Sequence, residues 1–277
     1  MISGKTTLIA HLGYPTHSFK APLIYNPWFE RQGIDAVVVP MGVQAPDYPE
    51  FLKYLFRLTN IRGALVTMPH KVTTVELVDE LTPTAQVAGA TNAVLLRDDH
   101  TLLGDQFDGA GFVRGVQRKG FDLAGRRALV VGSGGVGSAI AASLAGAGVG
   151  ALGVFDADAA AADALSGRIT KNYPEIEVLT ASKDPDGYDL VVNATPLGMN
   201  EGDPLPVDVD RIAPRTFVGE VVMTHEITPF LRAAREKGCP IQVGKDMLFE
   251  QIPAYLEFFG FGTATPEELR AVAQIKD

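Results

Sequence analysis

The sequence predicts an α/β fold in two domains, and three observations predict it. Residues 128–131 (Ala-Leu-Val-Val) read as a buried strand that runs into Gly132-Ser133-Gly134-Gly135-Val136-Gly137. A small-residue helix follows to about residue 147, and a second apolar run, 151–155, stops at Asp156. Strand, G-x-G-x-x-G turn, helix, strand and acid is the order required by a dinucleotide-binding unit of the Rossmann type. The hundred residues ahead of this unit alternate short apolar runs with helical periodicity, as an open α/β domain of their own would. The length, 277 residues, suits two domains of ordinary size.

Taken in order, residues 7–12 read as a first strand ending in the turn Gly13-Tyr14-Pro15. A helix is expected after Pro22, with Leu23, Ile24, Trp28 and Phe29 at helical spacing, closing near Gly33. Residues 36–39 form a second strand, stopped by Pro40 because proline removes a ladder donor. A helix over 49–58 buries Phe51, Leu52, Leu55 and Phe56, and 63–67 is a third strand. A helix is expected over 72–81, then strands at 93–96 and 102–103 around a polar turn. A helix over 109–119 leads to the glycine-rich unit. Beyond it come an alanine-rich helix (157–169), strands at 178–179, 190–193, 216–221 and 241–243, and helices at 229–237, 247–259 and 266–275.

Each residue of the glycine turn has a physical role. Gly132 permits the sharp turn, Gly134 leaves room for a pyrophosphate, and Gly137 lets the helix lie close on its strand. With Ser133, Gly135 and Val136 they present backbone N–H groups at a helix N-terminus, where an anion is stabilised. Asp156 lies where a carboxylate accepts from the adenosine ribose hydroxyls. An enzyme that selects NADP carries an arginine near this point, but here Asp156, Asp158 and Asp163 precede the first basic residue, Arg168. NAD is therefore the expected cofactor, with NADP disfavoured.

A net charge of −9 speaks against nucleic acid or an anionic membrane as the partner. The expected partner is a small molecule, and the expected state a monomer or homodimer. The single cysteine, Cys239, precludes an internal disulfide and reads as a small buried hydrophobe. No stretch approaches the ~18 apolar residues of a membrane span, and the N-terminus lacks an apolar leader core. A cytoplasmic protein without a bound metal is expected.

Residues 63–71 (Gly-Ala-Leu-Val-Thr-Met-Pro-His-Lys) run off the end of a strand and deliver a lysine where open α/β sheets place their ligands. Lys71 alone reads equally well as a solvated side chain. Asp108, where a loop becomes a helix, alone reads as an N-cap. Gly89-Ala90-Thr91-Asn92-Ala93 and the helix start at residues 244–251 complete the set.

Together these motifs resemble the shikimate/quinate dehydrogenase family, as a divergent member. The chain shows a G-x-P turn after the first strand, V-T-x-P-x-K (Val66 to Lys71), A-G-A-x-N and a G-x-x-x-D-G segment. The glycine loop, Asn193-Ala194-Thr195-Pro196-Leu197-Gly198-Met199, Thr228-Pro229 and Met247-Leu248 with Gln251 follow in the family's order. The resemblance implies an oxidoreductase that interconverts a secondary alcohol and a ketone, working in a cleft between a substrate domain (1–108 plus 245–277) and a dinucleotide domain (109–244). It makes Lys71 and Asp108 the catalytic pair. It assigns Asn92, Gln251 and Thr67 to substrate, and Asn193, Thr195, Gly198, Met199, Val221, Gly244 and Met247 to the cofactor. An ordinary lysine, with a pKa near 10.4, is a poor base at neutrality unless desolvated, so the expected part of Asp108 is to orient the lysine and the substrate hydroxyl.

The departures fall on the substrate. The family segment G-x-P-x-x-H-S-x-S-P carries two serines that bind the substrate carboxylate; aligned without gaps, their positions hold Phe19 and Ala21. The asparagine before V-T-x-P-x-K is Leu65, the Asn-Thr before the aspartate is Gln106-Phe107, and a tyrosine ahead of Thr228 is Met223. A carboxylate could still be held by Ser18, Lys20 or Tyr14, although Lys20 reads most simply as a solvated loop lysine. The leading expectation is NAD-linked oxidation of a shikimate- or quinate-like ring carboxylate. The alternatives are the same chemistry on a ring alcohol without the carboxylate, or a non-catalytic NAD-sensing protein, against which Lys71 and Asp108 both speak.

Overall fold

The computed structural model describes residues 2–275, in two compact units: Met1–Phe107 with Ile252–Asp277, and Asp108–Gln251. The α/β architecture is as expected. In the first unit β1 (Thr7–Gly13), β2 (Ala36–Gly42), β3 (Ile61–Val66), β4 (Glu80–Leu81), β5 (Ala93–Leu96) and β6 (Leu102–Asp105) form a mixed sheet of order β2-β1-β3-β5-β6-β4. Strands β2, β1 and β3 run parallel, whereas β5 is antiparallel to both β3 and β6. Helices α1 (Pro22–Gln32), α2 (Tyr48–Leu55) and α3 (Pro83–Ala88) belong to it. One face of the sheet packs Ala10, Leu12, Ala64, Val66 and Val94 against Tyr48, Leu52 and Leu55 of α2. Each large apolar side chain so buried contributes about 1.5–3 kcal/mol.

Three local expectations fail here. Strand β2 is not stopped by Pro40 but continues to Gly42; it is the edge strand of the sheet, where a missing donor costs no ladder bond. The helix over 72–81 is not formed. A single 3-10 turn, Thr73–Glu76, is followed directly by β4. The β-branched run Thr73-Thr74-Val75 favours helix weakly, and Asp79 accepts from the Leu102 N–H at 2.7 Å, drawing the chain into the sheet. Helix α3 was not anticipated. It is capped by Thr82, whose hydroxyl accepts from the Ala85 N–H, and it ends on the left-handed Gly89, so capping rather than periodicity defines it.

In the second unit β7 (Arg127–Val131), β8 (Ala151–Phe155), β9 (Glu177–Leu179), β10 (Leu190–Asn193), β11 (Phe217–Glu220) and β12 (Ile241–Gln242) form a fully parallel sheet of order β12-β11-β10-β7-β8-β9. This is the doubly wound order, in which the strand order reverses between β7 and β10. Around it lie α4 (Asp108–Arg118), α5 (Gly135–Gly146), α6 (Ala159–Asn172), α7 (Pro229–Glu236) and the start of α8 (Gly244–Phe259). Val130, Leu152, Val191 and Val218 are fully buried, as strands covered on both faces must be. No helix among the described residues is long and apolar enough to cross a membrane. The last helix, α9 (Pro266–Val272), belongs to the first unit and starts with a capping box between Thr265 and Glu268.

Candidate dinucleotide and substrate sites

In the second unit the chain leaves β7 at Gly132, which has φ +108°. A Cβ there would lie 2.8 Å from the Ala194 carbonyl. At Gly137 a Cβ would run into the Gly132 carbonyl oxygen, whereas Gly134 and Gly135 face open space. The turn is thus tight on its protein side and clear on its outer side, which is what close approach of an anion to a helix N-terminus requires. Ser138 Oγ donates to the Ser133 carbonyl at 2.9 Å and steadies the turn. Val136 is half-buried in the first turn of α5.

Asp156 reaches back to this turn. One carboxylate oxygen accepts from the Ser133 N–H at 2.6 Å, the other from the Asp158 N–H at 2.9 Å. The Ser133 N–H is therefore committed to Asp156, while its buried Oγ has no partner among the described residues. A carboxylate has about four acceptor positions, so Asp156 retains capacity for a ligand hydroxyl. The Asp158 side chain caps α6 by accepting from the Ala160 N–H.

A cavity of about 420 Å³ opens on these groups, lined by Gly132, Gly134, Asp156, Thr195, Leu197 and Lys183, among others. Its far wall is a loop that the buried Asn193 holds in shape. Asn193 Nδ2 donates to the Leu197 carbonyl, and Oδ1 accepts from both the N–H and the hydroxyl of Thr195. Asn193 is thus the anchor of this wall and Thr195 its surface. Gly198, with φ +99°, donates its N–H to Asp203, and Met199 beyond it is 41% exposed. Beneath the loop Glu220 is fully buried and accepts from the Thr228 hydroxyl at 2.9 Å. Burial lifts its carboxyl from the usual 4.5 to about 7, against hydrogen bonds from Thr228 and Asn193. Gly244 opens α8 against the backbone of Val221 and Val222, and Met247 is buried one turn on. This cradle, with its unmet Ser133 hydroxyl, fits a nicotinamide dinucleotide.

The first unit holds the predicted substrate residues other than Gln251, near the C-terminal ends of β1 and β3. After β3 the segment from Thr67 to Thr74 is pinned by its buried members. His70 donates from Nε2 to the Val43 carbonyl at 2.9 Å and stacks on Tyr48, and Thr74 bonds the Tyr48 hydroxyl. Lys71 is half-buried, and its carbonyl accepts from the Thr91 N–H, tying it to the segment just ahead of β5 that carries Asn92. Asn92 is buried, and its Oδ1 accepts from the Phe107 N–H at 2.9 Å. Its Nδ2 is sealed from solvent without a partner among the described residues. A buried donor left unmet is costly, and such atoms are retained where a ligand or water meets them. Gln251 Oε1, in the second unit, is in the same condition. Asp108 is buried at the first position of α4.

The altered positions also have places. Thr67 is half-buried, and its methyl group fills the space that a Cβ at Gly13 would need. Ala21 is the N-cap of α1, with no side-chain cap bond, and Lys20 before it is exposed. Leu65 is buried in β3 and Met223 is 44% exposed. Ser18 closes a short 3-10 turn, but its side chain lies outside what the structure describes. Phe19 stacks on His11, ring centroids 4.0 Å apart.

Two residues escaped the sequence reading. Lys183, with Nζ 5.9 Å from the centre of the Phe155 ring, lines the same cavity as Asp156. It is a basic group that no local motif announces, because it follows β9. His11 was legible as the one polar ring in an otherwise apolar strand. Burial and the charge of Lys71 push its imidazole down from 6.5 to about 4.

Comparison with known proteins agrees with this arrangement. Residues 12–94 match the family model for the shikimate dehydrogenase substrate binding domain, and residues 116–169 match that of the ThiF family. The shikimate dehydrogenase (NADP(+)) of Rubrobacter xylanophilus is 35% identical over 254 residues, covering 90% of this chain and 89% of its own. The crystal structure of shikimate 5-dehydrogenase from Listeria monocytogenes, in complex with shikimate and NAD, superposes with a TM-score of 0.91 at 26% identity, covering 98% of this chain and 97% of its own. Quinate dehydrogenase from Corynebacterium glutamicum, in complex with NAD, gives 0.86 at 27% identity, covering 96% and 98%.

Proposed function

The chain belongs to the shikimate dehydrogenase family, and on that premise we propose that it interconverts a secondary alcohol and a ketone on a hydroxylated ring, with NAD preferred and Lys71 and Asp108 handling the proton. The observation that carries this reading is the cavity on the glycine turn, with Asp156 on one side and the Asn193-anchored loop on the other.

When bound there, the nicotinamide ring supplies hydride acceptance and donation. The remaining work falls to the chain. Gly134, Gly135, Val136 and Gly137 present the first-turn N–H groups of α5 to the pyrophosphate, and Thr195 with Gly198 and Met199 covers the nicotinamide-ribose side. Lys71 takes the hydroxyl proton during oxidation and returns it to the carbonyl oxygen during reduction. Asp108, at the dipole-positive start of α4, orients that exchange. Asn92, whose Nδ2 is an unmet donor, binds a ring hydroxyl, and Thr67 of the same unit adds a contact; Gln251 is the second hydroxyl-binding residue that the family motif implies.

What supports NAD is Asp156: its carboxylate suits a ribose diol and repels a 2′-phosphate. Lys183 is the opposing charge in the same cavity, and the curated relative from Rubrobacter carries NADP(+) in its name. A panel of shikimate, quinate and a carboxylate-free ring alcohol, each with NAD and with NADP, is followed by absorbance of the reduced nicotinamide. Reduction of NAD at the higher kcat/KM is expected. A requirement for NADP would overturn the cofactor preference, and turnover of no alcohol would overturn the reaction.

A further inference from the structure

His11 sits near the end of β1, beside Leu65 of β3 and Pro40 of β2 in the strand register. Registered neighbours in parallel strands turn their side chains to the same face, so His11 and Leu65 form one patch. Phe19 completes it. Its ring lies over the imidazole at an interplanar angle of 27°, and its tip would stand 2.9 Å from a Cβ at Gly13. The aromatic ring thus fills the corner made by Gly13, Thr67 and His11, where the aligned family motif has a serine.

The imidazole is only 8% exposed, and Nδ1 is buried with no partner among the described residues. That leaves Nε2 as the polar atom of the ring open to a ligand. With no group among the described residues fixing the tautomer, Nε2 offers either a lone pair or an N–H. A hydroxyl or a carbonyl oxygen matches such a group in either form. A carboxylate is matched less well: its one donor here is a neutral imidazole N–H beside an aromatic ring and an aliphatic side chain, and burial and the neighbouring Lys71 both disfavour the charged form of the ring. Lys71 itself is engaged with the reacting oxygen in the reaction proposed above.

We propose that His11, held flat against Phe19, is the specificity-determining contact of the substrate site and selects a ring that presents an uncharged hydroxyl or carbonyl oxygen there, against one that presents a carboxylate. This inference rests on the oxidoreductase reading and names its substrate class.

The test compares shikimate with its primary amide, which keeps ring and shape but loses the charge. The wild-type holoenzyme is expected to show at least a tenfold higher kcat/KM for the amide. Phe19→Ser should shift that ratio at least tenfold toward the acid, and His11→Leu should raise KM for the amide with kcat nearly kept. Thermal unfolding and NAD affinity verify that both variants are folded. Preference of the wild type for the acid, or a ratio unmoved by both substitutions, overturns the inference and leaves the oxidoreductase reading intact. If neither compound is turned over, the reaction fails instead. Calorimetric binding to the wild-type NAD complex then decides the inference: tighter binding of the amide supports it, and equal or tighter binding of the acid overturns it.

Discussion

The glycine turn of the second unit keeps its motif, whereas the β1–β3 wall of the first departs from the family motif. Around the turn, backbone geometry carries the chemistry: Gly132 at φ +108° and Gly137 against the Gly132 carbonyl admit no side chain. On the wall, side chains carry it, and a different side chain changes what is recognised without changing the fold. Phe19 and Leu65 occupy positions at which the family motif has a serine and an asparagine, yet β1 and β3 still pair in parallel beneath them. A dinucleotide turn built from backbone leaves no room for a side chain, whereas the wall takes a different one without a change of fold.

The two regions also contain buried ionisable groups with opposite pH consequences. His11 has its pKa lowered from 6.5 to about 4, so folding favours the neutral ring. Its contribution is complete above pH 6.5 and is lost as pH falls toward 4. Glu220 has its pKa raised from 4.5 to about 7, so folding favours the protonated acid. Its contribution is complete below pH 4.5 and is lost as pH rises toward 7.

The strongest way to break this contrast is Gly137→Val. It should weaken NAD binding by at least about 100-fold, ~2.7 kcal/mol, measured by calorimetry, while a conservative change on the wall leaves that affinity alone. Next comes Asp156→Ala, which removes the acceptor of the Ser133 N–H and the charge that disfavours a 2′-phosphate. KM for NAD should rise by about tenfold, in line with a hydrogen bond to a charged group, while KM for NADP falls. Paired urea titrations sharpen the pH comparison. Glu220→Gln should flatten the decline in stability between pH 4.5 and 7, and His11→Leu the decline between 6.5 and 4; unchanged slopes in either variant would contradict the corresponding burial argument. The smallest effect is expected from Thr82→Ala, which removes the cap of α3 ahead of Asn92 at a cost of about 1 kcal/mol, read as a shift in urea midpoint with NAD affinity unchanged.

What was legible in the sequence follows the same division. The turn from Gly132 to Gly137 and its acid Asp156 could be read because their meaning lies in local order and spacing. Asn92 and Lys71 could be matched to a motif, but the bond from the Thr91 N–H to the Lys71 carbonyl that ties their segments together could not be seen. Lys183 was invisible because only the sheet order brings the chain after β9 to the cavity of Asp156. The missing helix over 72–81 has a similar cause: periodicity does not register the Asp79–Leu102 bonds that convert this stretch to sheet. Pro40 misled because a strand's position at the edge is a property of the sheet, not of the strand.

The central claim is that Lys71 moves the proton while the turn after β7 holds the hydride carrier. The most direct test is single-turnover hydride transfer by wild-type and Lys71→Ala enzyme, each saturated with NAD, measured across pH. The account predicts a variant slower by about 10²–10⁴-fold at every pH measured, with NAD affinity preserved. A variant that transfers hydride at a near-normal rate with the same pH profile would contradict it.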